Sequence, residues 1–264
     1  MNPFLKRIYN TSVDYGFDPK RLAIMLRVKI NRTFENERKE FLRQRGSDNS
    51  FKWGKLYPIR NEKQDKGGVL KGDYFHQDLY VAQQIYKANP QKHLDIGSRT
   101  DGFVAHVAVF REIELIDIRP IDSQVKNITF RQADLMHLPE DMVDYCDSVS
   151  SLHAIEHFGL GRYNDPIDYS GHLKGIKNIT QILKKGGTFY FSVPIGPQRV
   201  EFNAHRVFSL EYLIRILSPD FSIQSFSYVN DMGDLFENVE LTEQSIQSNF
   251  SCWYGCGIFI LKKK

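Results

Sequence analysis

The stretch that decides the fold is His93-Leu94-Asp95-Ile96-Gly97-Ser98-Arg99-Thr100-Asp101-Gly102. Its first residues read as a short buried strand, and Gly97 after them lets the backbone turn tightly and approach a ligand closely. Before it, Asp73 is placed to cap a helix in which Leu79, Ala82, Ile85 and Tyr86 share a face and which Asn89-Pro90 ends. After it, the pattern predicts a helix near Gly102–Phe110 and strands at Ile113–Ile118, Asn127–Phe130 and Cys146–Leu152. A helix capped by Ser170 follows, with Leu173, Ile176, Ile179 and Leu183 on one face and Gly186-Gly187 as its stop. Then come a strand Thr188–Val193 ending at Pro194, a helix near Ser209–Leu217, and two closing strands, Phe221–Val229 and Cys252–Leu261, joined by an acidic loop. Alternation of this kind predicts an α/β fold: a doubly wound, mostly parallel sheet with helices on both faces.

Composition agrees with a folded chain. The 264 residues are 41% hydrophobic, 25% charged and 13% aromatic, which excludes wholesale disorder and fibrous repeats. No run reaches the roughly 18 apolar residues of a membrane span, and MNPFLKRIYNTS lacks an apolar core of signal-peptide length, so the expected compartment is the cytoplasm. Cys146, Cys252 and Cys256 are odd in number and miss the two-residue zinc or redox spacing, so reduced, partly buried thiols are expected.

Charge is uneven. Residues 1–45 hold eleven Lys/Arg against five acids, a net +6 within a chain of net +3. Leu22, Met25, Leu26, Ile30, Phe34, Phe41 and Leu42 recur among them at helical spacing, giving one or two basic amphipathic helices. Such a helix either packs as a solvated face or offers a surface to anionic lipid at the inner face of a membrane, or to an anionic substrate. Residues 46–72 read as an irregular connector, so two parts are expected: a basic helical extension with connector, 1–72, and an α/β domain, 73–264.

In a doubly wound sheet, ligands sit at the carboxyl ends of the strands where strand order reverses. Asp117 closes the second strand 22 residues after Asp95, the spacing at which a carboxylate reaches ribose hydroxyls. Ala133-Asp134-Leu135 ends the third strand, where a carboxylate accepts from an adenine amine. The three markers together favour a nucleoside ligand.

On these residues the chain resembles the class I S-adenosylmethionine-dependent methyltransferases, over roughly 73–264. Leu94-Asp95-Ile96-Gly97 is similar to their first motif, Cys146–His157 to their fourth strand and the turn after it, and Leu183-Lys184-Lys185-Gly186-Gly187-Thr188-Phe189 to the entry of their fifth strand. The resemblance implies a Rossmann-like, seven-stranded sheet with an antiparallel closing strand and S-adenosylmethionine as cofactor. It implies a cofactor site drawn from Asp95, Gly97, Ser98, Arg99, Asp117 and Ile118, with Asp134, Leu135 and Ser151 beside them. The runs HLDIGSRTDGFVAH, LIDIRP, SSLHAIEHFGLGRY and FNAHRVF also resemble a bacterial domain-of-unknown-function family of methyltransferases associated with surface-polysaccharide biosynthesis. That resemblance implies a sugar or glycan-precursor hydroxyl as acceptor. One departure stands out: Arg99 and Asp101 occupy positions where the usual first motif has glycine, and Gly102 comes one place late. The same loop falls one residue short of a dinucleotide pattern, so a nicotinamide enzyme stays open.

His153-Ala154-Ile155-Glu156-His157 carries the candidate chemistry. A neutral His153 or His157 past the fourth strand is placed to take a hydroxyl proton, with Glu156 orienting the imidazole and His205 converging from the fifth strand. The same five residues match the His-x-x-Glu-His zinc-peptidase pattern, with Asp165, Asp168 and His205 as further ligands, although no resident metal is expected. Arg162, Tyr163, Asn203 and Arg206 are the candidate substrate contacts, and Arg162, Arg199 and Arg206 are suited to a phosphate or carboxylate. Nothing in the pattern suggests nucleic acid. A non-catalytic binding or scaffold protein with a degenerate cofactor loop stays open beside the enzyme, as does the oligomeric state.

Overall fold

The computed structural model describes residues 32–59, 62, 65 and 67–264, and Leu22, Met25, Leu26 and Ile30 of the expected basic helix lie outside the described residues. The chain divides into two compact units, Met1–Val69 and Leu70–Lys264. In the first, helix α1 (Arg32–Arg45) carries the half-buried pair Glu35–Arg38 and the exposed pair Glu40–Arg43, each spanning one turn. Phe41, expected on the apolar face, is exposed and meets the Trp53 ring at 6.1 Å.

The second unit opens with α2 (Asp73–Ala88), whose C-terminal cap is Asn89 in the left-handed region, φ 42°. Gly72, not Asp73, is its N-cap residue. The buried face runs through Gln77, Asp78, Val81, Ala82 and Ile85, whereas Tyr86 points to solvent. Strands β1 (His93–Ile96), β2 (Ile113–Asp117), β3 (Ile128–Gln132), β4 (Cys146–Leu152) and β5 (Leu183–Ile195) are mutually parallel wherever they pair. A π-helical turn at Thr100–Val104 leads into the single-turn helix α3 (Ala105–Ala108) between β1 and β2. Helix α4 (Gly171–Ile182) stands between β4 and β5. A two-stranded ribbon, β6 (Arg199–Glu201) and β7 (His205–Val207), follows β5. After it come α5 (Leu210–Leu217), β8 (Phe221–Val229), β9 (Leu235–Phe236), α6 (Glu243–Ser248) and β10 (Gly255–Lys263).

The sheet order is β3-β2-β1-β4-β5-β10-β8-β9, with β10 antiparallel to both β5 and β8. It therefore has eight strands and not the expected seven: β9, two residues of the acidic loop, adds an edge to β8. Period-two alternation in β5 sends Phe189 and Phe191 to the face covered by α4 and α5, and Tyr190 to the face covered by α2. Two expected features differ. Leu183 starts β5 instead of ending α4, and Gly186, at φ 72°, turns the chain inside β5, where the β4–β5 register shifts. Leu173 lies on the outer side of α4, and the Ser170 hydroxyl bonds Asp168 instead of capping the helix. All three cysteines are free and buried. No described helix is long and apolar enough to cross a membrane.

Asp95, expected at the cofactor, is fully buried beneath the turn. Its Oδ1 accepts the Ser98 N–H at 3.0 Å, and its Oδ2 accepts the Ser98 and Ser150 hydroxyls at 2.7 and 2.5 Å. It thus ties the turn to β4. Burial pushes its pKa from 3.8 up to about 7, only partly offset by these bonds. The native carboxyl then keeps a proton that the unfolded chain has released. Its contribution to stability is full below pH 3.8 and is lost as pH rises through about 7. Asp95→Asn is expected to remove this dependence, so that urea unfolding shows variant minus wild-type stability rising by roughly 2–4 kcal/mol from acid to neutral pH.

Candidate functional site

The β1/β4 neighbours mark the point where strand order reverses, and two adjoining cavities open there. A narrow apolar slot of about 60 Å³ is walled by Ile96, Ile118, Leu135, Met136 and Phe158. A wider polar cleft of about 560 Å³ adjoins it. The two share Gly97, Asp117, Arg119, His153, His157 and Tyr163. Gly97 has φ 70°, and a Cβ there would stand 3.0 Å from the Ala154 Cβ, so both backbone freedom and space require glycine.

Asp117 lies at the junction, where the sequence places it. Both its oxygens are engaged by a neighbour the sequence reading missed: Arg119 donates its Nε to Oδ1 at 2.9 Å and its Nη2 to Oδ2 at 2.6 Å. Asp134 and Leu135 line the slot, with Asp134 bonded to the Met136 N–H and to His137. Ser151 is a correction, because it is fully buried and donates to the Ile96 carbonyl under the slot. Ser98 borders the cleft, but its hydroxyl donates to Asp95 and accepts from the Leu152 N–H. Arg99 forms part of the wall without filling the cleft: its guanidinium forks onto Asp101 and lies 4.7 Å over the Tyr74 ring.

The His-x-x-Glu-His residues do not form the helical face that a zinc peptidase needs. His153 stands at φ 51° and only a 3₁₀ turn, Ile155–His157, follows, so the two histidines flank Glu156. Glu156 Oε1 is 3.2 Å from His153 Nδ1 and 3.7 Å from His157 Nε2. Asp165 instead accepts the Gly159, Gly161 and Tyr163 N–H groups, and Asp168 pairs with Lys174. Among the described residues no group of three or more His, Cys, Asp or Glu is arranged to hold a metal ion.

Protonation separates the two histidines. Burial opposes charge on His153, but the neighbouring Cys256 and the Glu156 carboxylate raise its pKa well above 6.5. Glu156, whose own pKa is lowered beside the two histidines, faces His153 Nδ1 at 3.2 Å. His157 is lowered, by burial first and by Arg162 as well. Its Nδ1 lies 2.7 Å from the Ala204 carbonyl, which only accepts, so the neutral ring carries its proton on Nδ1 and its lone pair on Nε2.

On the rim, Tyr163 lies edge-on to His157 and under two guanidinium groups, Arg119 at 4.3 Å and Arg162 at 5.1 Å. His205 reaches the cleft against Tyr254, the rings 5.0 Å apart. Tyr74 and Tyr254, both lining the cleft, carry no motif and left no signal in the sequence. Three expected substrate contacts lie elsewhere. Asn203 is exposed and lines neither cavity, and Arg199 binds Glu201 and the Trp253 carbonyl. Arg206 is buried and donates to the Glu156, Phe158 and Tyr169 carbonyls, holding the loop after β4.

A chain with this sheet order and a cleft at this point has the Rossmann-like methyltransferase fold. Among solved structures it is similar to the Burkholderia thailandensis 1,6-didemethyltoxoflavin-N1-methyltransferase, crystallised with 1,6-didemethyltoxoflavin and S-adenosylhomocysteine. The two are 15% identical, with 71% of this chain and 78% of that one covered and a TM-score of 0.51. A Clostridium acetobutylicum S-adenosylmethionine-dependent methyltransferase is 14% identical over 72% of this chain and 92% of its own, with a TM-score of 0.49. No curated protein matches the sequence. The chain belongs to the family described as Caenorhabditis protein of unknown function, DUF268, whose model matches residues 111–263. That description names neither bacteria nor polysaccharides, so the association with surface glycans does not follow from it.

Arg206→Met removes the donor shared by the Glu156, Phe158 and Tyr169 carbonyls and is expected to lower stability by about 2–4 kcal/mol in denaturant unfolding, whereas Arg162→Gln on the exposed rim changes it by less than about 1 kcal/mol.

Proposed function

We propose that the protein is an S-adenosylmethionine-dependent methyltransferase acting on a hydroxyl of a small polar acceptor, a sugar or glycan precursor. The observation that carries this reading is the convergence, at the β1/β4 switch point, of an apolar slot ending in the Asp117 carboxylate with a neutral histidine of fixed tautomer. The residues present fit the cofactor: Gly97 leaves room for close approach, Ile118 and Leu135 offer apolar faces to a base, and Asp117 stands ready for ribose hydroxyls. Asp134 is placed at the slot for an exocyclic amine, and Arg99 borders the wider cleft without closing it. The setting that accompanies this reading is the cytoplasm, with the +6 segment 1–45 as contact with an anionic membrane face.

The cofactor, when bound, supplies an electrophilic methyl group on a positively charged sulfur. With the cofactor held by Gly97, Asp117, Ile118 and Leu135, His157 Nε2 would take the proton of an acceptor hydroxyl in the adjoining cleft as that oxygen accepted the methyl group. His157 keeps its Nδ1 proton on the Ala204 carbonyl throughout, and the Glu156 carboxylate, 3.7 Å from Nε2, stabilises the imidazolium that results. His153, already protonated against Glu156, is a positioning residue in this scheme and not the base.

Isothermal titration with S-adenosylhomocysteine, with NADH as control, tests the cofactor. Saturable binding of the former alone is expected, and no heat from the former overturns the reading. Asp117→Ala is expected to weaken that binding by about 10–100-fold, the loss of hydrogen bonds to a charged group. With the sugar acceptor that gives turnover, His157→Gln is expected to lower kcat by about 10²–10⁴-fold while S-adenosylhomocysteine affinity holds. Because the His157 pKa lies below 6.5, wild-type kcat should be flat above that pH and fall as acid protonates Nε2.

A further inference from the structure

The charges around the wider cleft are neutralised in pairs, with one exception. Arg99 is held by Asp101, Arg119 by Asp117, and His153 by Glu156. Arg162 donates to the Ala204 carbonyl at 2.8 Å and has no carboxylate partner among the described residues. It shares the Tyr163 ring with Arg119.

The Asp117–Arg119 pair conflicts with nucleoside binding at the same carboxylate. Oδ1 accepts two bonds from Arg119, the backbone N–H at 2.8 Å and Nε at 2.9 Å, while Oδ2 accepts Nη2 at 2.6 Å. A carboxylate oxygen offers about two acceptor positions, so Oδ1 is full and two ribose hydroxyls cannot both be received while Nε stays. The Arg119 side chain is 49% exposed while that of Asp117 is 9% exposed, so the arginine can leave for solvent only if ribose hydroxyls take over its hydrogen bonds to the buried carboxylate.

We propose that a nucleoside bound at Asp117 releases Arg119, and that Arg119 and Arg162, beside Tyr163, then form a two-arginine clamp for a phosphate or diphosphate group on the acceptor. One guanidinium fork saturates the two oxygens of a carboxylate, whereas two forks match the additional oxygens and the second charge of a phosphate. The inference rests on the methyltransferase reading for its nucleoside, and it adds an acceptor class and an order of binding: methyl donor first, phosphorylated acceptor second. By linkage, each ligand raises the affinity of the other by the same factor.

Pyrophosphate is the probe. Titrated into the wild-type protein, it is expected to bind at least about tenfold more tightly when S-adenosylhomocysteine is saturating than when it is absent. Arg162→Gln is expected to abolish that binding and leave S-adenosylhomocysteine affinity unchanged. Arg119→Gln is expected to bind S-adenosylhomocysteine as tightly as wild type or more so, and to lose the coupling. Both side chains lie on the exposed rim, and circular dichroism and melting temperature report whether the variants fold. Equal pyrophosphate affinity with and without S-adenosylhomocysteine in the wild type, or coupling that survives in Arg119→Gln, overturns the clamp while the cofactor reading stands. Failure of S-adenosylhomocysteine to bind the wild type overturns both.

Discussion

The site depends on one buried carboxyl group. Asp95, next to last in β1, points to the face away from the slot that Ile96 lines, and its three hydrogen bonds to Ser98 and Ser150 fix where the chain goes after the strand. Ser98 passes the connection on, because its hydroxyl accepts the Leu152 N–H at the end of β4. Gly97 is thereby pinned across from Ala154, and the crevice between β1 and β4 keeps its width. A low-dielectric interior makes such a fully engaged network rigid, and the same interior makes the group costly to ionise. The residue that shapes the site therefore stays out of contact with whatever the site binds.

Around that frame the electrostatics are arranged so that one imidazole is charged and its neighbour is not. Glu156 serves both: at 3.2 Å it keeps the proton on His153, while at 3.7 Å it is too far to bond His157 Nε2, which burial and Arg162 keep neutral. Environments that push two like groups apart in pKa define acid and base assignments more sharply than the residue types alone. The Ala204 carbonyl completes the arrangement by fixing the tautomer.

How much of this was legible in the sequence follows from which forces are local. β4 and β8 have the bounds the alternation gives, and β1, β2 and α5 differ from theirs by a residue, because buried strands and capped helices carry their own periodicity. Gly186-Gly187 misled, because glycines that stop a helix and glycines that turn a strand look alike until pairing with β4 is known. β9 left no signal, two residues being too short for a pattern. Asp117 and Asp134 stood out by position, yet Arg119, two residues past Asp117, drew no notice because its meaning lies in a pairing that only the folded strand end creates. Arg206 misled in the opposite direction: arginine near a cleft suggests an anion, but this one is buried among three carbonyls contributed from residues 37 to 50 positions away.

His153 shows that the turn after β4 holds its shape at a local cost in backbone strain. A non-glycine residue at φ 51° costs on the order of 1–2 kcal/mol, and glycine there would remove the strain. The conformation is held instead by the ion pair with Glu156 and by the Tyr74 ring, 5.3 Å away. The strained turn places Ala154 against Gly97 and sets His157 beside the slot within the next four residues. A regular helix starting at Leu152 would have put both histidines on one face, as a metal site requires. The departure from helical geometry thus leaves the two histidines on either side of Glu156 and not side by side on one helical face, the arrangement that two zinc-binding histidines need.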